Sequence, residues 1–295
     1  MPEGVECLVV AESIQKWCRS QDPDNEGSIN FELNEIDDEV IVRHSPIPFN
    51  QFNKYYDRIN YSKISTFGKT IFVPSTNGYC FSAQLGMTGN FSEEPTKYSK
   101  IRFLSNFSNL YYNDIRKFGN LMLFKKDNIP RNIKNLLKNS IDWRDHKAPE
   151  LFAKRARKRK SWQNSEIKTL LLNQQLIAGI GNIYACECLF SAHVDPRILV
   201  KNLTDKKLSR IIQECQTIMF QSHAVGGMTI YNFTNFGKKG FGRSYLNVYN
   251  KRGLGCRKCN SAIIQRIKQK NRSTFYCPIC QDEKFKCLEE KKLKT

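Results

Sequence analysis

Near its C-terminus the chain carries Cys256-x2-Cys259, then seventeen residues, then Cys277-x2-Cys280. This spacing restricts the fold more tightly than any other feature. Each Cys-x-x-Cys pair suits one tight turn, and two such turns present four thiolates tetrahedrally to Zn²⁺. A four-cysteine zinc ribbon with one structural Zn²⁺ is the expectation. The stretch between the pairs, 261–276, is rich in β-forming and basic residues and holds Arg266, Lys268, Lys270 and Arg272. A clamped hairpin with cations at its tip can enter a nucleic-acid groove, although many zinc ribbons only hold a fold together.

Charge favours the nucleic-acid role. The formal net charge is +19, and residues 238–295 carry 16 Lys+Arg against 4 Asp+Glu, so +12 of it lies there. A second basic run, KRARKRK, spans 154–160. Clustered cations neutralise phosphates and release counterions. A solvated helix face or a localisation signal would also account for the short run taken alone.

The length of 295 residues suggests about two domains. No apolar run is long enough to span a bilayer, and Glu3 and Glu6 are out of place in a cationic signal-peptide start. Besides the four metal candidates, Cys7, Cys18, Cys80, Cys186, Cys188, Cys215 and Cys287 form an odd set without a framework pattern. They read as free thiols, so an intracellular reducing compartment where DNA is found is expected.

Residues 2–19 have apolar positions Val5, Leu8, Val9 and Ile14 on one helical face. From 28 to 124 the pattern changes to short β-rich runs at 29–33, 40–43, 69–74, 79–85, 99–103, 110–114 and 120–124. Turn residues such as Asn77-Gly78 separate them, which predicts an antiparallel sandwich. Residues 149–221 read as mostly helical, with Gly179-Ile180-Gly181-Asn182 between two apolar helices. A glycine pair there is most often only a turn. A helix that starts after it also presents free N–H groups and a positive dipole end.

The chain opens Met1-Pro2-Glu3-Gly4. Methionine before proline is readily removed, which would expose the secondary amine of Pro2. An α-amino group titrates near pH ~8, so an appreciable fraction is neutral at neutral pH. Such an amine can attack C1′ of a nucleoside sugar, and the iminium it forms is an electron sink for β-elimination. Glu3 could move the protons. A proline at position 2 is common and by itself usually means nothing.

Five motifs, in order, resemble the Fpg/Nei family of DNA glycosylases. They are the opening Met1-Pro2-Glu3-Gly4-Val5-Glu6, then Gln84-Leu85-Gly86-Met87-Thr88-Gly89, and Asp114-Ile115-Arg116-Lys117-Phe118-Gly119. Residues 171–185, LLNQQLIAGIGNIYA, follow, and last comes the cysteine finger with Asn271-Arg272-Ser273-Thr274-Phe275-Tyr276. The resemblance implies Pro2 as Schiff-base nucleophile, Glu3 as general acid/base and Lys69 as a catalytic-site lysine on a β-hairpin. It implies Met87, Arg116 and Phe118 as the residues that fill the void left by an extruded nucleotide. Lys168, Asn182 and Arg272 are implied as phosphate ligands, 226–230 as the loop over the flipped base, and Glu187 as a carboxylate facing the active site. Val5, Gln84, Ile115, Lys117 and Met228 depart from common family residues, and Met228 weakens any assignment of 8-oxoguanine as the preferred base.

The expected fold is therefore α+β and multi-domain. An N-terminal helix and β-sandwich catalytic domain spans 1–128, and a linker 129–149. A helix–two-turn–helix domain with a glycine-rich loop spans 150–245, the zinc finger 246–284, and a charged tail 285–295. The expected activity is that of a bifunctional DNA glycosylase/AP lyase in base excision repair, with excision of oxidised bases and β,δ-elimination. The expected partner is damaged DNA, duplex by virtue of the void-filling set and held in a cationic cleft, with no membrane and a monomeric protein. A zinc-finger damaged-DNA-binding protein without catalysis is the alternative, since it would not need Pro2.

Overall fold

The computed structural model describes residues 2–37, 42–105, 107–228, 235–238 and 240–282. The expected run at 40–43 and the tail at 285–295 fall wholly or partly outside them. The chain divides into two compact units, Met1–Lys138 with Ser222–Arg243, and Asn139–Gln221 with Ser244–Thr295.

The first unit opens with α1 (Gly4–Ser20). Glu3 and Glu6 form a reciprocal capping box at its start, which satisfies N–H groups that a first helical turn leaves unpaired. Its buried face carries Val5, Val9, Val10, Ile14, Trp17 and Cys18. Strands β1 (Ser28–Asn30) and β2 (Glu32–Ile36) follow, then a short helix α2 (Phe52–Tyr55) and β3 (Arg58–Asn60), which pairs with β1. Strands β4 (Ser65–Phe67), β5 (Thr70–Pro74), β6 (Tyr79–Gln84), β7 (Asn90–Ser92), β8 (Ser99–Leu104), β9 (Asn109–Asn113) and β10 (Asn120–Lys125) complete two antiparallel sheets. Their orders are β2-β8-β9-β7 and β10-β6-β5-β4.

One core lies between the two sheets. Phe81, Ala83, Leu121 and Leu123 face Phe91, Ile101, Phe103 and Tyr112, all essentially buried. The Phe81 and Phe103 rings lie 5.6 Å apart, and Phe31 stacks on Phe103 at 4.7 Å. This is the antiparallel sandwich that the short β-rich runs and the turns between them predict. The additional short strands β3, β4 and β7 have no alternating pattern long enough to be read from sequence. Helix α3 (Arg131–Asn139) begins directly after Pro130, and its Ile133 packs on Cys80, Met122 and Phe124.

The second unit is largely helical up to the finger. It contains β11 (Ile141–Asp142), α4 (Ala148–Ala156), α5 (Lys160–Gln163), α6 (Ile167–Leu171), β12 (Ile177–Ala178) and α7 (Asn182–Ser191). Helix α8 (Asp205–Ala224) follows, and β13 (Gln265–Gln269) with β14 (Arg272–Tyr276) forms the finger hairpin. β12, in the turn between α6 and α7, pairs in parallel with β11. Gly179 makes this turn possible. Its φ is +104°, and a Cβ there would lie 2.2 Å from Cδ1 of the buried Trp143.

The basic run at 154–160 divides between two tasks. Arg157 donates to Asp205 at 2.9 Å and to the carbonyls of Val200, at 2.9 Å, and Leu203. Arg155 donates to the carbonyl of Asn139. These two guanidinium groups brace the helical unit. Lys154, Lys158, Arg159 and Lys160 are exposed.

Gly179→Ala should destabilise the protein by about 2–5 kcal/mol, since it combines a left-handed backbone with a clash against a packed indole. Chemical denaturation of the variant and wild type under identical conditions measures this.

Candidate functional site

The first turn of α1 buries Pro2, Glu3 and Glu6. The Glu3 N–H donates to Glu6 Oε2 at 2.8 Å, and the N–H of Met228 donates to the other oxygen, Oε1, at 2.8 Å. A single carboxylate thus joins the chain beside Pro2 to the glycine-rich segment at 226–228. Two further links hold that segment to α1: His223 Nε2 lies 2.8 Å from Glu12 Oε2, and Asn235 donates to Ser13 Oγ at 2.7 Å. The rest of the expected base-covering loop, 229–230, lies outside the described residues.

Lys69 sits in the turn between β4 and β5, next to the same helix start. Its carbonyl accepts from the Cys7 thiol at 3.4 Å. Burial pushes that thiol up to about 12. The Glu6 and Glu3 carboxylates add to the effect and the Lys69 ammonium opposes it. Pro2, Glu3, Glu6 and Lys69 therefore gather around one buried helix terminus. Sequence reading attached no role to Glu6. Its signal was the i, i+3 carboxylate spacing of a capping box.

Asp114 is fully buried. Its Oδ1 accepts from Thr88 Oγ1 at 2.5 Å and from the Arg116 N–H at 3.2 Å, and its Oδ2 accepts from the Gly119 N–H at 2.7 Å. This carboxylate binds the 84–89 loop to the 114–119 loop. Gly86, at φ +61°, lets them close, because a Cβ there would lie 2.4 Å from the Phe118 carbonyl carbon. The two loops hold three of the expected DNA-binding side chains outward. Met87 is 36% exposed and Phe118 53%, and the Arg116 guanidinium lies 4.9 Å from the Phe118 ring centroid. An apolar side chain left in water by a hydrogen-bonded loop is not core packing.

In the second unit, Asn182 is the first residue of α7 and donates through Nδ2 to the Ser273 carbonyl of β14 at 2.8 Å. The helix start and the finger hairpin are thereby joined. Lys168 of α6 is fully buried. Arg272 begins β14 opposite Gln269, and the two-residue turn Lys270-Asn271 has positive φ at both positions, as a tight hairpin requires. Arg266, Lys268, Lys270 and Arg272 are all exposed.

Glu187 departs from expectation. Its carboxylate accepts from the N–H groups of Asn247, Val248 and Tyr249 at 2.7–2.9 Å. Burial is the largest influence on it and raises its pKa, against the lowering effect of those three donors. It anchors the chain that leads into the finger, rather than standing free for chemistry.

Cys256, Cys259, Cys277 and Cys280 place their sulfurs within 4.8 Å of one another. Cys256 to Cys280 is 3.7 Å and Cys259 to Cys277 is 3.8 Å. A tetrahedral site with Zn–S bonds of about 2.3 Å has S···S edges of about 3.8 Å, so the cluster fits zinc. Cys7, Cys18, Cys80, Cys186, Cys188 and Cys215 are buried free thiols, and Cys287 is outside the described residues.

Residues 1–121 match the formamidopyrimidine-DNA glycosylase N-terminal domain, and 142–234 match the formamidopyrimidine-DNA glycosylase H2TH domain. The formamidopyrimidine-DNA glycosylase of Ureaplasma parvum is 34% identical over 79% of this chain and 86% of its own length. That of Rickettsia felis is 32% identical over 74% of this chain and 79% of its own. The chain belongs to the formamidopyrimidine-DNA glycosylase family. Solved structures of family members agree. The MutM (Fpg) protein of Thermus thermophilus has 26% identity and a TM-score of 0.76, covering 95% of this chain and 98% of that one. A complex of the Lactococcus lactis Fpg with DNA containing an abasic site has 25% identity and a TM-score of 0.79, covering 95% and 100%. The fold is thus the family's: a β-sandwich, a helix–two-turn–helix domain and a four-cysteine hairpin in zinc-finger arrangement.

Asp114→Ala would leave Thr88 and two loop N–H groups without their acceptor. A stability loss of about 2–4 kcal/mol is expected, read as a lowered unfolding midpoint in a thermal melt.

Proposed function

We propose that this DNA glycosylase of base excision repair is bifunctional, excising oxidised bases and then cleaving the strand. The observation that carries the proposal is the gathering of Pro2, Glu3 and Lys69 at one buried helix start, beside the glycine-rich segment that Glu6 holds. The DNA complexes of related Fpg proteins support it.

In this reading, Pro2 acts after Met1 has been removed. Its nitrogen lone pair forms a bond to C1′ as the glycosidic bond breaks; the base leaves with the electron pair and takes up the proton that the nitrogen sheds. Glu3 delivers a proton to the ring oxygen, so the sugar opens to an iminium ion. The iminium is cationic without a further proton. It acidifies the adjacent C2′–H, whose loss expels the 3′-phosphate, and a second elimination expels the 5′-phosphate. Lys69 supplies positive charge beside the reacting sugar. Burial around Glu3 restricts water at the helix start, which strengthens every charge interaction there.

Met87, Arg116 and Phe118 would enter the duplex where the damaged nucleotide leaves it. Extrusion costs a few kcal/mol of stacking, and an exposed aromatic ring, a thioether and a cation on tied loops can offset part of it. Lys168, Asn182 and Arg272 would grip phosphates. Zn²⁺ on Cys256, Cys259, Cys277 and Cys280 would be structural and would fix the hairpin that presents Arg272. The working compartment would be a reducing one that contains DNA.

Borohydride should trap the processed protein on DNA with an abasic site, and mass spectrometry should place the adduct on Pro2. An adduct on a lysine alone would overturn the mechanism. Glu3→Gln should lose most base excision yet keep some cleavage of a preformed abasic site, because the amine survives.

The finger separates two roles. Cys277→Ser should release zinc and weaken binding to lesion DNA. Arg272→Ala should keep zinc, weaken binding and reduce the salt slope by about one phosphate contact. Unchanged binding by Arg272→Ala across several salt concentrations would make the finger purely structural.

A further inference from the structure

Alternate residues of a strand face opposite sides of its sheet. In β5, β6 and β10 the inner set is Ile71, Val73, Phe81, Ala83, Leu121 and Leu123, all in the core between the sheets. Of the outer set, the residues nearest the Lys69 turn are polar: Thr70, Gln84 and Asn120. Farther from that turn the outer positions are apolar apart from Ser82: Phe72, Met122, Pro74, Cys80 and Phe124. A sheet with one face on the core ordinarily turns polar residues outward.

Helix α3 covers part of this second apolar face through Ile133, which packs on Cys80, Met122 and Phe124. Beside it lies a groove of about 390 Å³, lined by Phe72, Pro74, Cys80, Phe124, Ile129 and Leu137. Phe72 is only half-buried, and Leu137 is 37% exposed. Burial pushes the Cys80 thiol up to about 12, so this cysteine offers apolar surface rather than a nucleophile.

Two cations also line the groove, Lys63 and Lys126, and among the described lining residues there is no carboxylate. Both lysines are exposed. Lys63 leads into β4 and Lys126 follows β10. The sheet order is β10-β6-β5-β4 with every neighbouring pair antiparallel. Both lysines therefore stand at the end of the sheet away from the Lys69 turn, beside its two outer strands. Three inter-strand steps separate those strands, about 14 Å. The groove thus has an apolar floor between two separated positive charges.

That pattern discriminates among occupants. A nucleic-acid strand would answer the cations, but its phosphates and sugars do not suit an apolar floor. A fatty-acid-like amphiphile carries one charge and answers one lysine. A second copy of a chain with net charge +19 is repelled. In an extended peptide, two acidic residues four positions apart are separated by about 13 Å, and the residue midway between them faces the same way. We propose that this groove docks a short extended segment of an acidic partner protein. Its apolar residues lie on Phe72, Pro74 and Phe124, and its flanking carboxylates meet Lys63 and Lys126. The surface is distinct from the chemistry proposed for Pro2, so failure of either leaves the other standing.

Anisotropy of dye-labelled peptides, titrated with the zinc-loaded full chain, tests the proposal. The probe is Gly-Glu-Leu-Phe-Leu-Glu-Gly. It should bind saturably, and at least about tenfold more tightly than Gly-Lys-Leu-Phe-Leu-Lys-Gly or Gly-Glu-Ser-Gly-Ser-Glu-Gly. Gly-Glu-Glu-Leu-Phe-Leu-Gly has the same composition with its charges together, and should bind more weakly than the probe. Leu137→Asp and Lys126→Glu alter exposed side chains, so the fold survives, and each should lower affinity for the probe about tenfold. Excess duplex with an abasic site should leave the probe bound. Equal binding of the Ser-Gly-Ser peptide, or unchanged affinity in Leu137→Asp, overturns the docking site. Displacement of the probe by the duplex would place it in the DNA-binding surface and overturn it as well. So would tighter binding of decanoate than of the probe, or a protein that is dimeric alone and monomeric as Leu137→Asp.

Discussion

A carboxylate taken out of water must be answered by donors, and at three buried carboxylates of this protein most of the donors are backbone N–H groups. Glu6 accepts from Glu3 and Met228, Asp114 from Arg116 and Gly119, and Glu187 from Asn247, Val248 and Tyr249. In each case the donors belong to irregular chain that has no ladder of its own. A buried charge replaces secondary structure as the element that fixes the loop. The helix start beside Pro2, the two loops with Met87, Arg116 and Phe118, and the approach to the finger are all held in this way.

This arrangement separates rigidity from exposure. Phe118 and Met87 stand in solvent, yet the backbone beneath them is pinned by a fully buried Asp114. The proposed wedge role needs such a base, because a wedge on a loose loop would lose on insertion the entropy that a fixed loop has already lost. The hairpin of the finger uses other means toward the same end. Its two-residue turn and its clustered cysteines hold a row of cations on a short, stiff ribbon.

Much of this was legible in the sequence. The short β-rich runs and the apolar face of the first helix are local patterns, and among the described residues the structure has them within a few residues of where they were read, the run at 40–43 lying partly outside. The cysteine spacing is local too. Strands β3, β4 and β7 were not legible, because three residues carry no period and pair only through partners distant in sequence. The motif residues around Asp114 were visible as a string, but not that its carboxylate ties two loops. Glu187 shows the limit most clearly. Its position in a family motif suggested chemistry, whereas its three N–H donors lie some sixty residues further along the chain. The basic run at 154–160 shows the same limit, since charge in sequence does not reveal that Arg157 turns inward to Val200 and Leu203.

The first compact unit is not continuous in the chain: residues 222–243 complete what 1–138 begin. The hydrogen bond from Met228 to Glu6 spans 222 positions. Ribosomes add about 5–20 residues per second, so the Glu6 carboxylate emerges roughly ten to forty seconds before its second donor exists. Until then, that oxygen can be satisfied only by water. The terminus around Pro2 therefore reaches its final, desolvated form only after the helical unit between them has been made, and the candidate active site is among the last parts of the protein to be assembled.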